Sequence, residues 1–469
     1  KWNKSKKDDY INCNKLLPDK LVYKCFIKTE PEDKPLFKIP RLISAPETIV
    51  KRTFGPVHHM LMKKAKEYFK MHTRNTTRKV YTSGMNRDLI GMEFTKVWNV
   101  YEASGFIMLI WSLDYEKFDS TQVKKVLASL GIWYGGLTEG ECRKKILEYL
   151  SKVVSECKLT WYSNDNEEDG YVIAKQTAKR KSGDIDTTDG TTFLSMTLSD
   201  FIVDKDTVKE LRELIWSFNA GDDCCLMTPI ECKNKIHLNR VEKLGLKLKG
   251  TKSINPVMVD YNSSFFIRVF DRTIGQERFH LQAKPGRVLS RVGKFLEGNK
   301  FYQSKVTLQK YAAQKCMAVY TELKAILPGV ANAYKVLGEK YYSGCKSISA
   351  GFDETYVLKT THDIEPCETT LQDLSVRYGL DKNVLQQFDE EFPELDCNVN
   401  NLEEYETIPH VHKVLRAFYN VDLNGFTMED VSEYRDYGYD GDYLDIFTET
   451  YIHDDSDCSE EELDDILDL

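Results

Sequence analysis

Residues 105–120, GFIMLIWSLDYEKFDS, form an apolar run that first meets a carboxylate at Asp114 and continues to Asp119. That is the pattern of a buried strand delivering Asp114 at its exit. Residues 214–227, LIWSFNAGDDCCLM, are two apolar runs separated by Gly221, Asp222 and Asp223, which predicts a β-hairpin with carboxylates at its tip. Helical periodicity appears in between. Ile146, Leu147, Leu150, Val153 and Val154 mark a charged helix near 139–157, and residues 164–170 (NDNEEDG) read as a polar loop. Ser182 and Gly183 open a polar turn, and Thr187 to Thr192 lead into Phe193, Leu194, Met196, Leu198, Phe201 and Ile202, a helix packed on a sheet. A further helix is predicted over Val306–Leu327, stopped by Pro328-Gly329, and no internal repeat is present.

Gly-Asp-Asp is ordinary turn chemistry when it stands alone, and a strand-end Asp can simply cap the next helix. Together, Asp114, Asp222 and Asp223 make a three-carboxylate cluster assembled from distant parts of the chain. Such a cluster suits hard cations that take oxygen ligands, two of them roughly 3.5–4 Å apart for phosphoryl or nucleotidyl transfer.

The order of these blocks resembles that of RNA-dependent RNA polymerases of positive-strand RNA viruses. Asp114 and Asp119 are similar to motif A, Ser182, Gly183 and Thr187 to motif B, and Gly221-Asp222-Asp223 to motif C; the SGD start of motif B resembles tombusvirus-like and related polymerases. FIKTE at 26–30 and KIPRLI at 38–43 resemble motif F, and SGMN at 83–86 a short block before motif A. KLGLKLK at 243–249 sits where motif D belongs and SFFIRVF at 264–270 where motif E does, so the resemblance spans at least residues 24–295.

The resemblance implies an α/β (α+β) right-hand fold: an antiparallel palm sheet flanked by helices, with fingers and thumb. Fingers would occupy 1–100, palm 101–132 and 182–270, a fingers insertion 133–181, and thumb 271–428. It implies template-directed RNA synthesis from ribonucleoside triphosphates, with Mg²⁺ or Mn²⁺ held by Asp114, Asp222 and Asp223. Lys28, Lys38 and Arg41 would line the triphosphate path. Ser182, Gly183 and Thr187 would contact the nucleotide, and Asp119 would read the ribose 2′-OH. Lys249 is the candidate general acid toward pyrophosphate, with Lys247 and Lys252 as alternatives in the same stretch.

One departure stands out. Thr191 occupies the place of the family's motif B Asn, and Asp186 stands where tombusvirus-like members often carry Asn. A threonine hydroxyl both donates and accepts, but over a shorter reach, so Thr191 is expected to be a weaker partner for the ribose. Two rival readings are less well matched. A reverse transcriptase usually guards the ribose with an aromatic residue where this chain has Asp119, and usually shows Tyr-x-Asp-Asp in its motif C. A non-catalytic RNA-binding scaffold would not need the full acid set.

Composition changes the picture mainly through charge. The 469 residues, 41% hydrophobic, suffice for a sizeable core, and their net charge of −8 is unevenly spread. Residues 429–469 carry −16, leaving +8 on the rest. This acidic end reads as a disordered, solubilising tail, although Leu463, Ile466 and Leu467 at helical spacing also suit a partner-docking segment. Residues 51–79 hold nine Lys/Arg against one Glu, with His58, His59, His72, Phe54, Tyr68 and Phe69 interspersed, a pattern for RNA or triphosphate contact beside motif F.

The twelve cysteines include no CxxC pair, which argues for reduced thiols rather than zinc or disulfides. No run approaches the roughly 18 apolar residues of a membrane span, and the charged start shows no secretion signal. The expected setting is host cytoplasm, at membrane-associated replication complexes reached through a partner or a missing region, alongside RNA template and product and viral or host replication proteins. Beginning at Lys1 rather than Met, the chain is read as a processed product, a readthrough portion or an excerpt.

Overall fold

The computed structural model describes residues 17–27, 42–69, 78–162, 170–177, 179–292, 305–342, 363–394 and 405–424. Lys28, Lys38, Arg41 and the acidic segment 429–469 lie outside them. The architecture is mixed α+β, with antiparallel and mixed sheets.

In chain order, β1 (Val22–Ile27) and β2 (Leu42–Pro46) lead into helix α1 (Thr48–Tyr68). β3 (Lys79–Tyr81), α2 (Arg87–Ser104) and β4 (Met108–Tyr115) follow, then α3 (Lys124–Leu137), α4 (Gly140–Val153), β5 (Glu156–Tyr162) and β6 (Gly170–Thr177). Helix α5 (Thr187–Phe201) precedes β7 (Trp216–Ala220), β8 (Asp223–Pro229) and β9 (Leu248–Ser253). Next come β10 (Asp260–Tyr261), β11 (Ser264–Asp271) and β12 (Gln276–Ala283). The C-terminal part holds α6 (Lys305–Leu323), α7 (Pro328–Tyr342), β13 (Ile364–Glu365), α8 (Glu368–Tyr378), α9 (Lys382–Glu391) and α10 (Pro409–Tyr419).

Three sheets result, ordered β2-β1-β5-β6, β3-β7-β8-β4-β9, and β10-β11-β12 with β13 on β11. The middle sheet positions the site. In it β3 runs parallel to β7 and every other pair is antiparallel. Pleating divides its residues between two cores. Leu109, Trp111 and Leu113 of β4 and Cys224 of β8 join a core with Phe193 and Met196 of α5. Ile110, Cys225 and Met227 face the other way, against Phe94 of α2 and Phe266 of β11. The adjacent thiols Cys224 and Cys225 therefore sit in different cores, both buried and reduced. Helix α2 approaches β12 so closely that a Cβ on Gly91 would lie 2.5 Å from the Phe279 carbonyl oxygen.

The next sheet serves two cores as well. β11 sends Phe265, Ile267 and Val269 into a third core built with α6 to α10. The helix expected over Val306–Leu327 ends at Leu323, and Pro328 opens the following helix instead of closing this one. Proline's fixed φ and missing N–H suit a first helical position, where that N–H has no intrahelical acceptor.

Arg278 ties α2, β11 and β12 together. Its Nε donates to Asp271 Oδ2 at 2.6 Å and its Nη2 contacts Asp88 Oδ1, with all three side chains buried. Burial opposes ionisation of Asp88, but His280 Nδ1 at 3.8 Å and the touching guanidinium of Arg278 bring its pKa down to about 2. An unfolded Asp titrates near about 3.9. The stabilisation from this group is therefore complete above that value and is lost as pH falls toward about 2. We expect Asp88→Asn to cost about 2 kcal/mol or more near neutrality and to flatten the acid limb of stability, measured by urea unfolding across pH. An unchanged acid limb would rule out this linkage.

Candidate active site at the β8-β4-β9 row

The run Met108–Leu113, apolar except for the half-buried Ser112, makes β4 a buried central strand, and Asp114 is its first exposed position. Backbone register sets Asp114 opposite Asp223 of β8 on one side and opposite Lys249 of β9 on the other. Directly opposed residues project to the same face, so an acid, an acid and a lysine form one transverse row. Glu116, two residues farther along, lies 3.5 Å from Lys249 Nζ. Asp222 is half of a two-residue hairpin loop closed between Ala220 and Asp223. Gly221 supplies the positive φ of +67° at its first position, the pattern of a type II′ turn that matches strand twist.

After β4 the chain turns at Lys117, whose φ is +52°, into a short helix Phe118–Thr121. Phe118 stacks on Tyr115 with ring centroids 4.4 Å apart, which sets the position of Asp119. Ser182 Oγ donates to Asp119 Oδ2 at 2.8 Å, joining segments 63 residues apart. The Ser182 loop is rigidly held. Arg180 and Asp186, both fully buried, form an ion pair across it, and Asp186 also accepts from Tyr134 at 2.6 Å and Tyr149 at 3.0 Å. Tyr23 of β1 donates to Asp184 at 2.6 Å. Burial raises the Asp184 pKa, whereas Arg180 overcomes burial at Asp186 and holds its carboxyl down. Gly183 packs on β2 so tightly that a Cβ would lie 2.5 Å from the Ser44 carbonyl oxygen.

Two threonines of α5 differ in use. Thr191 Oγ1 donates back to the Thr187 and Thr188 carbonyls. Thr192 Oγ1 accepts from the Gly221 N–H at 2.8 Å, clamping the hairpin loop to the helix. Thr187 Oγ1 donates to the Lys181 and Asp184 carbonyls, so it closes the Ser182 loop rather than facing the row. Thr192, Arg180, Glu116 and Arg287 escaped the sequence reading, since no local pattern marks a residue whose partner lies on another element.

The acids are electrostatically strained. Burial, then Asp222 and Asp114, push the Asp223 pKa up to about 7, with Arg287 pulling the other way. Asp114 is raised by burial and by Asp222, opposed by Lys249. Mutual repulsion of this kind is relieved by a cation, and carboxylate oxygens are the donors a hard divalent ion takes. Among the described residues no three His, Cys, Asp or Glu side chains stand together as a complete ligand set. A cavity of about 1140 Å³ adjoins Asp114 and Asp223 and contains Lys249, Lys252, Lys284 and Arg287 on its walls. Lys249 thus faces the Asp114 side, while Lys252 pairs in register with Trp111 on the opposite face.

No known family model matches this chain, and comparison with curated proteins likewise finds no match.

The Gly183 contact yields a clear expectation. Gly183→Ala should lower stability by about 1–3 kcal/mol, because the added methyl meets backbone that cannot rotate away. Denaturant unfolding measures this directly; wild-type stability would mean the loop packs elsewhere in solution.

Proposed function

We propose that the chain is an RNA-directed RNA polymerase of the positive-strand RNA virus type, resembling tombusvirus-like and related enzymes. The observation that carries this reading is the meeting of three separate blocks: Asp114 opposite Asp223, and Ser182 hydrogen-bonded to Asp119. In this reading the palm is the five-stranded sheet with α5, joined by β3 and α2 from the segment 1–100 expected to be fingers, the β2-β1-β5-β6 sheet with α1 belongs to the fingers, and α6 to α10 form the thumb.

The reaction is attack of a primer 3′-OH on the α-phosphorus of a ribonucleoside triphosphate, with pyrophosphate leaving in line. Divalent cations, Mg²⁺ or Mn²⁺, held by Asp114, Asp222 and Asp223 would lower the pKa of the 3′-OH and neutralise the triphosphate. Lys249, in the same transverse row, donates a proton to the departing pyrophosphate. Asp119, positioned by the Ser182 hydrogen bond, would accept from a ribose 2′-OH. Thr191 spends its only hydroxyl proton on its own helix, so it offers the sugar an acceptor alone. Lys28, Lys38 and Arg41 would line the triphosphate path, and Arg41 immediately precedes β2, the strand on which Gly183 packs.

RNA template and product and ribonucleoside triphosphates are the proposed ligands, with viral or host replication proteins as partners. No helix among the described residues is long and apolar enough to cross a membrane. Work at cytoplasmic, membrane-associated replication complexes would therefore use a partner or another region.

The test is ribonucleotide incorporation by the full chain on a primed RNA template. Wild type should extend the primer only with Mg²⁺ or Mn²⁺, and Asp114→Ala or Asp222→Ala should abolish extension while folding and RNA binding persist. Failure of wild type, or normal elongation by either variant, would sink the reading. Asp119→Ala should weaken preference for ribonucleotides over deoxyribonucleotides, since a hydrogen bond to a charged group is worth about 1.5–3 kcal/mol. Competition kinetics with single nucleotides measures the change, and unchanged discrimination would remove Asp119 from sugar recognition.

A further inference from the structure

β9 is an edge strand, and the cavity beside the carboxylates wraps around it to the other face of the sheet. Two ammonium groups share that far wall. Lys252 lies opposite Trp111 in the ladder, with Nζ 4.8 Å from the centroid of the indole. Lys233 comes from the 3-10 turn Ile230–Lys235 that follows β8 and lines the same cavity. Both side chains are half-buried.

Neighbouring lysines find acids: Lys235 lies 3.7 Å from Asp204, and Lys249 lies 3.5 Å from Glu116. Among the described residues, Lys233 and Lys252 make no such ion pair. Burial and then the charge of Lys233 lower the Lys252 pKa, so the two cations repel each other across the wall. The indole face attracts Lys252 but does not neutralise it. Two half-desolvated cations in a concavity lose their mutual repulsion when an anion sits between them. A lysine ammonium is a point-charge ligand well suited to phosphate.

We infer that Lys233 and Lys252, with the Trp111 ring as floor, form a phosphate-binding site on the far side of β9 from the carboxylate row. The phosphate comes either from the backbone of an RNA strand or from a free polyphosphate. The site does not depend on the polymerase reading, because both ligands can be offered without catalysis.

The test is lysine acetylation footprinting of the full chain in chelator, read by mass spectrometry, with single-stranded RNA or tripolyphosphate as probe. Lys233 and Lys252 should be protected, and the exposed Lys124 and Lys145 should not. Protection by RNA alone assigns the site to the phosphodiester backbone, by tripolyphosphate alone to free polyphosphate, and by both to the phosphate group itself. Protection by neither overturns the proposal. In parallel, Lys233→Gln/Lys252→Gln should weaken binding of the protecting probe by about tenfold near 0.1 M salt and, for RNA, reduce the salt slope by roughly 1–2. Lys233→Arg/Lys252→Arg should retain binding. Equal loss in Lys124→Gln/Lys145→Gln, which removes the same charge elsewhere, would reduce the effect to general electrostatics and also overturn the site. If the Gln pair fails to fold by circular dichroism, the wild-type footprint and the Arg pair decide.

Discussion

Arg180 and Asp186 are wholly withdrawn from water, and the loop between them carries Ser182 and Gly183. Burying two opposite charges costs several kcal/mol per ion, which good geometry and hydrogen bonds must offset. Those bonds draw on distant elements here, although Arg180 Nη2 and Gln122 Nε2 find no partner among the described residues. Tyr134 comes from α3, Tyr149 from α4, and Gln122, which accepts from Arg180 Nε at 3.2 Å, from the turn before α3. Even Gly190 of α5 is part of the fit, because a Cβ there would lie 2.5 Å from Arg180 Nη2. A loop on which substrate chemistry would depend is thus fixed by a core that contains none of it.

The transverse row depends on a different constraint, strand register. A shift of one residue would turn the Asp114 side chain into the core that holds Leu113 and bring Leu113 out beside Asp223. Apolar residues on both faces of β4 make that shift costly, since Ile110 and Trp111 fill separate cores. Burial of the strand interior therefore specifies where its charged end stands.

This division explains what could be read from the sequence. The β4 run, the Gly221-Asp222 turn and the helix after Thr187 are local patterns, and each occupies the expected kind of element. The Lys249–Asp114 opposition is not local, because 135 residues separate partners whose pairing only the sheet order determines. Nor does any spacing reveal that Thr192 rather than Thr191 hydrogen-bonds to the hairpin, since both are helical threonines one position apart. The break after Leu323 was missed because Pro328 both ends a pattern and can begin one.

Asp222 and Asp223 are adjacent in sequence but belong to mechanically different bodies. Asp223 is a ladder residue, paired with Asp114 and Ala220, and moves only with the sheet. Asp222 sits in the loop, whose preceding amide hangs on the Thr192 hydroxyl of α5. A small rotation of α5 would therefore shift one carboxylate relative to its neighbour while leaving the sheet at rest. The sheet thus positions one carboxylate of the pair, and the helix tethers the loop that carries the other.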